Sequence, residues 1–183
     1  MSSYCFFVNS LENGQGTHHV IYHERYGFPI EDDDELFGLL ILEINQAGLS
    51  WDTILKKWDN FRKAYSRFSI RKIASYTARD KKRLLLDAGI IRNRLKIDAA
   101  IHNAKVVLLL KKEHGSFRRW LDKQGILSRE EWTALFRRTF YFVGGEIVNE
   151  FLMSAGYLPG AHDETCRLYK KALRSKPAWS RFV

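Results

Sequence analysis

The stretch Ile41-Leu42-Glu43-Ile44-Asn45-Gln46-Ala47-Gly48-Leu49-Ser50-Trp51 decides how the chain is read. It closes a segment from Asp34 in which Leu36, Phe37, Leu39, Leu40, Ile41 and Ile44 are too apolar for a surface helix, which predicts a central buried helix stopped by Gly48. Glu43 falls in its last turn. A carboxylate in such surroundings is costly unless a cation or a hydrogen-bond donor needs it. Ser50 then reads as an N-cap, and Trp51, Ile54, Leu55, Trp58, Phe61 and Tyr65 recur at helical spacing along a second helix.

Working outward, the same signals repeat. Thr77 with Asp80 predicts a capping box opening a helix through Ala88, which Gly89 terminates. A longer helix follows to about His114 with Ile97, Ile101, Ala104 and Leu108 on one face, and Gly115 ends it. Ser116 to Gln124 is a short helix closed by Gly125. Ser128 with Glu131 opens another ending near Arg138, and Gly144 and Gly145 lead into a last one ending at Gly156. No strand alternation of useful length occurs. The expected fold is all-α, a compact multi-helix domain over residues 1–183.

With 183 residues, 45% of them hydrophobic, the chain can bury a real core, and its composition excludes disorder and collagen-like structure. A net charge of +9 fits an anionic partner such as nucleic acid, or simply a soluble basic protein. No apolar run is long enough for a signal peptide or a membrane span, so a cytoplasmic protein without membrane contact is expected. In that reducing setting Cys5 and Cys166 are read as metal ligands or buried thiols rather than a disulfide.

Two elements could grip a phosphate backbone. Around Gly89, Ile90 and Ile91 the two helices form a helix-hairpin-helix candidate, with Arg92, Asn93, Arg94 and Lys96 where the second begins; an ordinary αα-hairpin is the alternative. Lys56, Lys57, Arg62 and Lys63 form a second basic cluster, of the kind that is usually a solvated face. His162 and Cys166 have i, i+4 spacing, and with Cys5 and His23 they could complete a tetrahedral Cys₂His₂ set joining the N- and C-terminal segments.

Taken together, these residues resemble the DNA-3-methyladenine glycosylase I family, part of the helix-hairpin-helix glycosylases. The resemblance rests on Tyr22-His23-Glu24, Tyr26-Gly27-Phe28-Pro29, Leu42-Glu43, Gln46-Ala47-Gly48-Leu49-Ser50-Trp51 and Leu55-Lys56-Lys57. Further along it rests on residues 87–94, on Phe142-Val143-Gly144, and on His162 with Cys166.

The resemblance implies a monofunctional enzyme that hydrolyses the N-glycosidic bond of alkylated bases flipped out of double-stranded DNA, acting as a monomer. It implies Glu43 as the catalytic base reader and Tyr22 and Trp51 as stacking walls. Leu49, on the Gly48 turn, would fill the gap left in the base stack. Gly89, Ile91, Arg92 and Arg94 would contact DNA, and Cys5, His23, His162 and Cys166 would hold a structural zinc.

The family's remaining pocket positions fall at Phe7 and His19, where it usually carries tryptophan and tyrosine, and the segment between Cys5 and His23 is longer than usual. In the late helix its threonines, tyrosine and glutamine are replaced by Gly145, Glu146, Asn149 and Met153. These departures leave room for a shifted lesion preference or for a non-catalytic DNA-binding relative. Glu146 is read as a second pocket acid, an obstacle to phosphate, or a charge favoured at a helix N-terminus.

Overall fold

A computed structural model describes residues 4–11 and 15–182, and among them all regular structure is helical. The centre is α3 (Asp33–Gln46), buried all the way from Leu36 to Asn45. Its start is set by Asp32, whose side chain accepts from the Glu35 N–H at 2.9 Å, with Asp33, Asp34 and Glu35 complementing the helix dipole in the first turn. It ends where Ala47 leaves helical geometry and Gly48 takes φ 80°, a left-handed conformation open to glycine. Gly38 lets the neighbouring chain come close: a Cβ there would lie 2.3 Å from Phe68 Cδ2.

Ser50 caps the next helix as expected, but that helix is interrupted. α4 (Trp51–Lys56) and α5 (Trp58–Ala64) are separated at Lys57, whose ammonium reaches across to the Ala88 and Gly89 carbonyls at 3.1 and 3.4 Å. Past α5, Ser66, Arg67 and Phe68 form a left-handed 3₁₀ turn, with Phe68 buried against α3, and lead into the short α6 (Ile70–Ala74).

The Thr77–Asp80 capping box opens α7 (Ala78–Leu86), which ends two residues before the expected Ala88. The terminator is Asp87 rather than Gly89: its backbone turns extended and its Oδ1 accepts from the Gly89 N–H at 2.8 Å. Gly89 is needed for close approach instead, because a Cβ would lie 3.2 Å from Asn60. α8 (Arg94–His114), capped by Asn93, packs back along the core and ends at Gly115.

α9 (Phe117–Asp122), α10 (Arg129–Thr139) and α11 (Gly145–Ser154) follow, with Phe117, Trp120, Phe136, Phe140 and Phe151 in mutual ring contact. α1 (Tyr4–Asn9) and α2 (Thr17–His23) bring the N-terminal segment to residues 161–168. Among the described residues no helix is long and apolar enough to cross a membrane.

Candidate functional site

A pocket of about 180 Å³ opens beside the end of α3. Glu43 and Gln46 enter from α3, Trp51 from the start of α4, and Glu150 from α11. Tyr4, Tyr22 and Tyr26 supply the N-terminal wall. Sequence reasoning placed Glu43, Tyr22 and Trp51 here and missed Tyr4, Tyr26, Gln46 and Glu150. The Tyr22 hydroxyl is tied to Ser154 Oγ at 2.7 Å, and its ring meets Trp51 edge-on with centroids 5.0 Å apart. The buried Trp51 indole Nε1 has no hydrogen-bond partner.

Glu43 is 3% exposed and makes no hydrogen bond among the described residues. Burial, reinforced by the nearby Glu150, pushes its carboxyl well above the ordinary glutamate range. Glu150 is raised as well, chiefly by burial, although it accepts from the Tyr26 hydroxyl at 3.3 Å. The lining holds no Lys, Arg or His, so its two acids face only tyrosines, an indole and an amide.

Of the three readings left open for Glu146, the structure matches the helix N-terminal charge, and the pocket's second acid is Glu150, one turn later. Glu146 is an exposed surface residue paired with Arg129 at 2.5 Å, in the first turn of α11 where the dipole favours it.

Phe7 and His19, expected in the pocket, stand outside its lining. Tyr4 takes that place, and His19 braces it from behind with Nδ1 3.0 Å from the Tyr4 hydroxyl. His19 Nε2 in turn lies 3.3 Å from Asp52 Oδ1, which also meets His18 Nε2 at 2.7 Å, while Lys56 Nζ holds the other Asp52 oxygen at 2.7 Å. The lysine and histidines hold the Asp52 carboxyl down at about 2. Phe7 is 41% exposed and packs edge-on against His19, with centroids 5.1 Å apart.

Cys5, His23, His162 and Cys166 converge behind this wall, all buried, with their donor atoms within 4.8 Å of one another. Cys5 Sγ lies 3.3 Å from His23 Nε2 and 3.5 Å from His162 Nδ1. Cys166 Sγ lies 3.6 and 3.8 Å from the same two nitrogens. A tetrahedral ion bound at ~2.3 Å to sulfur and ~2.05 Å to nitrogen sets such pairs about 3.6 Å apart, so the quartet fits one. His162 Nε2 lies 2.7 Å from the Tyr26 carbonyl; an N–H donated there frees Nδ1 for a metal. Gly27 passes so close that a Cβ would lie 2.5 Å from Ala161 Cβ, and its own φ is 80°.

The exposed face beyond the pocket carries the other expected residues. Leu49 is 39% exposed on the Gly48 turn, which Gln46 fastens by donating from Nε2 to the Leu49 carbonyl at 2.8 Å. Nothing lies within 4 Å of a Cβ at Gly48. At the α7–α8 connection the Ile91 and Arg92 N–H groups have no partner among the described residues, and the Arg92 and Arg94 side chains are exposed.

Lys96 does not share that exposure. It is buried and donates to the Asn45 and Ala47 carbonyls at 2.8 and 2.7 Å, capping the end of α3. The second basic cluster is also largely committed internally, since Lys56 pairs with Asp52, Lys57 binds the hairpin carbonyls and Arg62 pairs with Glu35.

Comparison with known proteins gives one consistent result. A family model described as methyladenine glycosylase matches residues 13–130. The chain is 32% identical over 163 residues to a DNA-3-methyladenine glycosylase of Haemophilus influenzae, covering 78% of this chain and 88% of that one. It is 42% identical over 100 residues to DNA-3-methyladenine glycosylase 1 of Escherichia coli, 54% of each chain. Among solved structures, 3-methyladenine DNA glycosylase I from Staphylococcus aureus, described for its recognition of 3-methyladenine, is 31% identical with a TM-score of 0.75, covering 84% of this chain and 92% of that one.

Proposed function

The chain belongs to the methyladenine glycosylase family, and from that premise we propose that it excises 3-methyladenine from DNA by monofunctional hydrolysis at the pocket around Glu43. The observation that carries this reading is a buried carboxylate with no hydrogen-bond partner of its own, facing a pocket walled by aromatic rings. In its nucleoside a 3-methylated adenine is cationic and offers exocyclic N–H donors, which Glu43 lacks inside the protein. Tyr22 and Trp51 provide ring faces for the extruded base. Ordinary adenine brings no charge to offset burial of the carboxylate.

A cationic base is already a good leaving group. The enzyme's work is then positioning, exclusion of water and stabilisation of the separating charges as the C1′–N bond breaks, after which water adds to the sugar. Leu49 on its exposed turn would occupy the space the base vacates. The α7–α8 connection would act as a helix-hairpin-helix anchor, its free Ile91 and Arg92 N–H groups meeting a phosphate with Arg92 and Arg94 beside it. Zinc held by Cys5, His23, His162 and Cys166 would supply no reaction chemistry; it would fasten Tyr4 and Tyr22, each adjacent in sequence to a ligand, against the pocket.

The test is release of free 3-methyladenine from methylated duplex DNA by the intact protein and by Glu43→Gln. We expect release by the intact protein and a loss of roughly 10²–10³-fold in the variant. Equal rates would remove Glu43 from its role. Two proteins that bind duplex yet release nothing would make the chain a non-catalytic DNA-binding relative.

A further inference from the structure

Glu150 is the pocket residue for which excision by Glu43 alone has no use. It stands on α11 with both carboxyl oxygens held, Oε2 by the Tyr26 hydroxyl at 3.3 Å and Oε1 by Asn149 Nδ2 at 3.3 Å. Glu43 reaches the same pocket from α3, and the lining brings no cation to either. The nearest candidates are spoken for: Arg129 is paired with Glu146 at the surface, and Lys96 is committed to the carbonyls at the end of α3. The arrangement is two acids and no base in one pocket, which is unfavourable until a ligand brings positive charge.

We propose that Glu150 is a second base-reading carboxylate, which reinforces from α11 the preference for a cationic base that Glu43 sets from α3. This rests on the glycosylase reading above and adds a specificity-determining residue to that site. Burial raises both carboxyls, and for Glu43 the neighbouring Glu150 adds to it, which favours retention of a proton. A cationic base replaces that proton's charge and brings N–H donors to the pair, above all to Glu43, whose carboxylate has none. A neutral base leaves the repulsion in place and gains only stacking. Glu150 is already oriented for the task, since Tyr26 and Asn149 fix it before any base arrives.

The groups facing the pair are few. Tyr4, Tyr22 and Tyr26 face it from the N-terminal wall, and Glu146 and Arg129 lie on the solvent side of Glu150. Removing Glu150's charge should therefore be felt directly by Glu43.

The experiment measures kcat/KM for release of 3-methyladenine from methylated duplex, and of the neutral base hypoxanthine from a duplex carrying one deoxyinosine. It compares the intact protein, E150Q and E150D across the acid-to-neutral pH range, with thermal melting as the folding control. E150Q should lose roughly 10–100-fold on 3-methyladenine, the worth of one charge-assisted hydrogen bond, and lose nothing on hypoxanthine. The acid limb of its profile should move to lower pH, because Glu43 ionises more easily once its like-charged neighbour is gone. E150D, which keeps the charge but retracts it, should fall between the two, and it carries the test should E150Q melt early.

An unchanged kcat/KM with an unshifted limb would make Glu150 a wall residue and overturn the proposal, as would a gain on 3-methyladenine or an equal loss on both bases. If the intact protein releases neither base, the glycosylase reading itself falls and the proposal with it.

Discussion

Replacing Lys96 by Met tests the connection between the hairpin proposed to face DNA and the helix that carries Glu43. Lys96 stands in the first turn of α8 beside the exposed Arg92 and Arg94, yet its ammonium is buried and donates to the Asn45 and Ala47 carbonyls at 2.8 and 2.7 Å. Those carbonyls lie at the negative end of α3, where a cation is favoured. Met has nearly the same length, so the stem's packing survives and the loss is two charge-assisted hydrogen bonds. Each is worth roughly 1.5–3 kcal/mol, partly offset because a buried charge no longer has to be kept from water.

The expected net is about 3 kcal/mol, which lowers the melting temperature of a chain of this size by roughly 6–12 °C. Calorimetry or circular dichroism checks the melting, and base release checks a loss of activity as the Gln46–Trp51 turn loosens. Salt titration of duplex binding separates this account from its rival. If Lys96 instead neutralised a phosphate, the variant would melt within a degree or two of the intact protein, and the slope of log K against log salt would fall by about one. That pair of results would refute the capping role.

Three further outcomes follow from the same geometry. Protein purified without added zinc should contain about one equivalent by elemental analysis, and Cys166→Ser should lose most of it and melt earlier; a full complement in the variant would remove Cys166 from the ligand set. Arg92→Ala and Arg94→Ala should each lower the salt slope of duplex binding by about one while changing stability by no more than about 0.5 kcal/mol, read by titration and melting.

The remaining outcome concerns Glu43. Its folded pKa is raised above the ordinary 4.5, so the stability it contributes is present below that value and is lost as pH rises toward the folded pKa. Glu43→Gln should therefore match the intact protein in acid and exceed it in stability near neutral pH. Equal melting at both ends would show that the carboxylate is not desolvated in the folded protein.

What was legible in the sequence is what local rules determine. The run from Leu36 to Asn45 could only be a buried helix, Ser50 could only help start another, and the Thr77–Asp80 and Ser128–Glu131 boxes form as their spacing requires. Cys5, His23, His162 and Cys166 were one open candidate by spacing and became the expected set only through the family resemblance; they do converge.

What was not legible depends on where neighbours stand. Lys57, Lys96, Arg92 and Arg94 are chemically alike in a sequence, and only the fold turns the first two onto carbonyls and leaves the last two in water. No glycine or proline marks the break at Lys57, where the helix tightens and the Lys57 N–H donates to the Ile54 carbonyl at 3.0 Å. Glu146 and Glu150 stand one turn apart on the same face of α11, and periodicity alone could not say which would reach the pocket.

Position along the helix sets the answer: Glu146 lies in the exposed first turn of α11 and meets Arg129, while Glu150, one turn deeper and beside the buried Phe151 and Leu152, borders the pocket. The replaced positions of the late helix thus bear on function through a residue not among them. Glu146 spends its charge at the surface, and the same helix delivers a different carboxylate to the base site. On the reading proposed above, substrate selection would be shared between α3 and α11, with Tyr4, Tyr22 and Tyr26 lining the same pocket as the two acids.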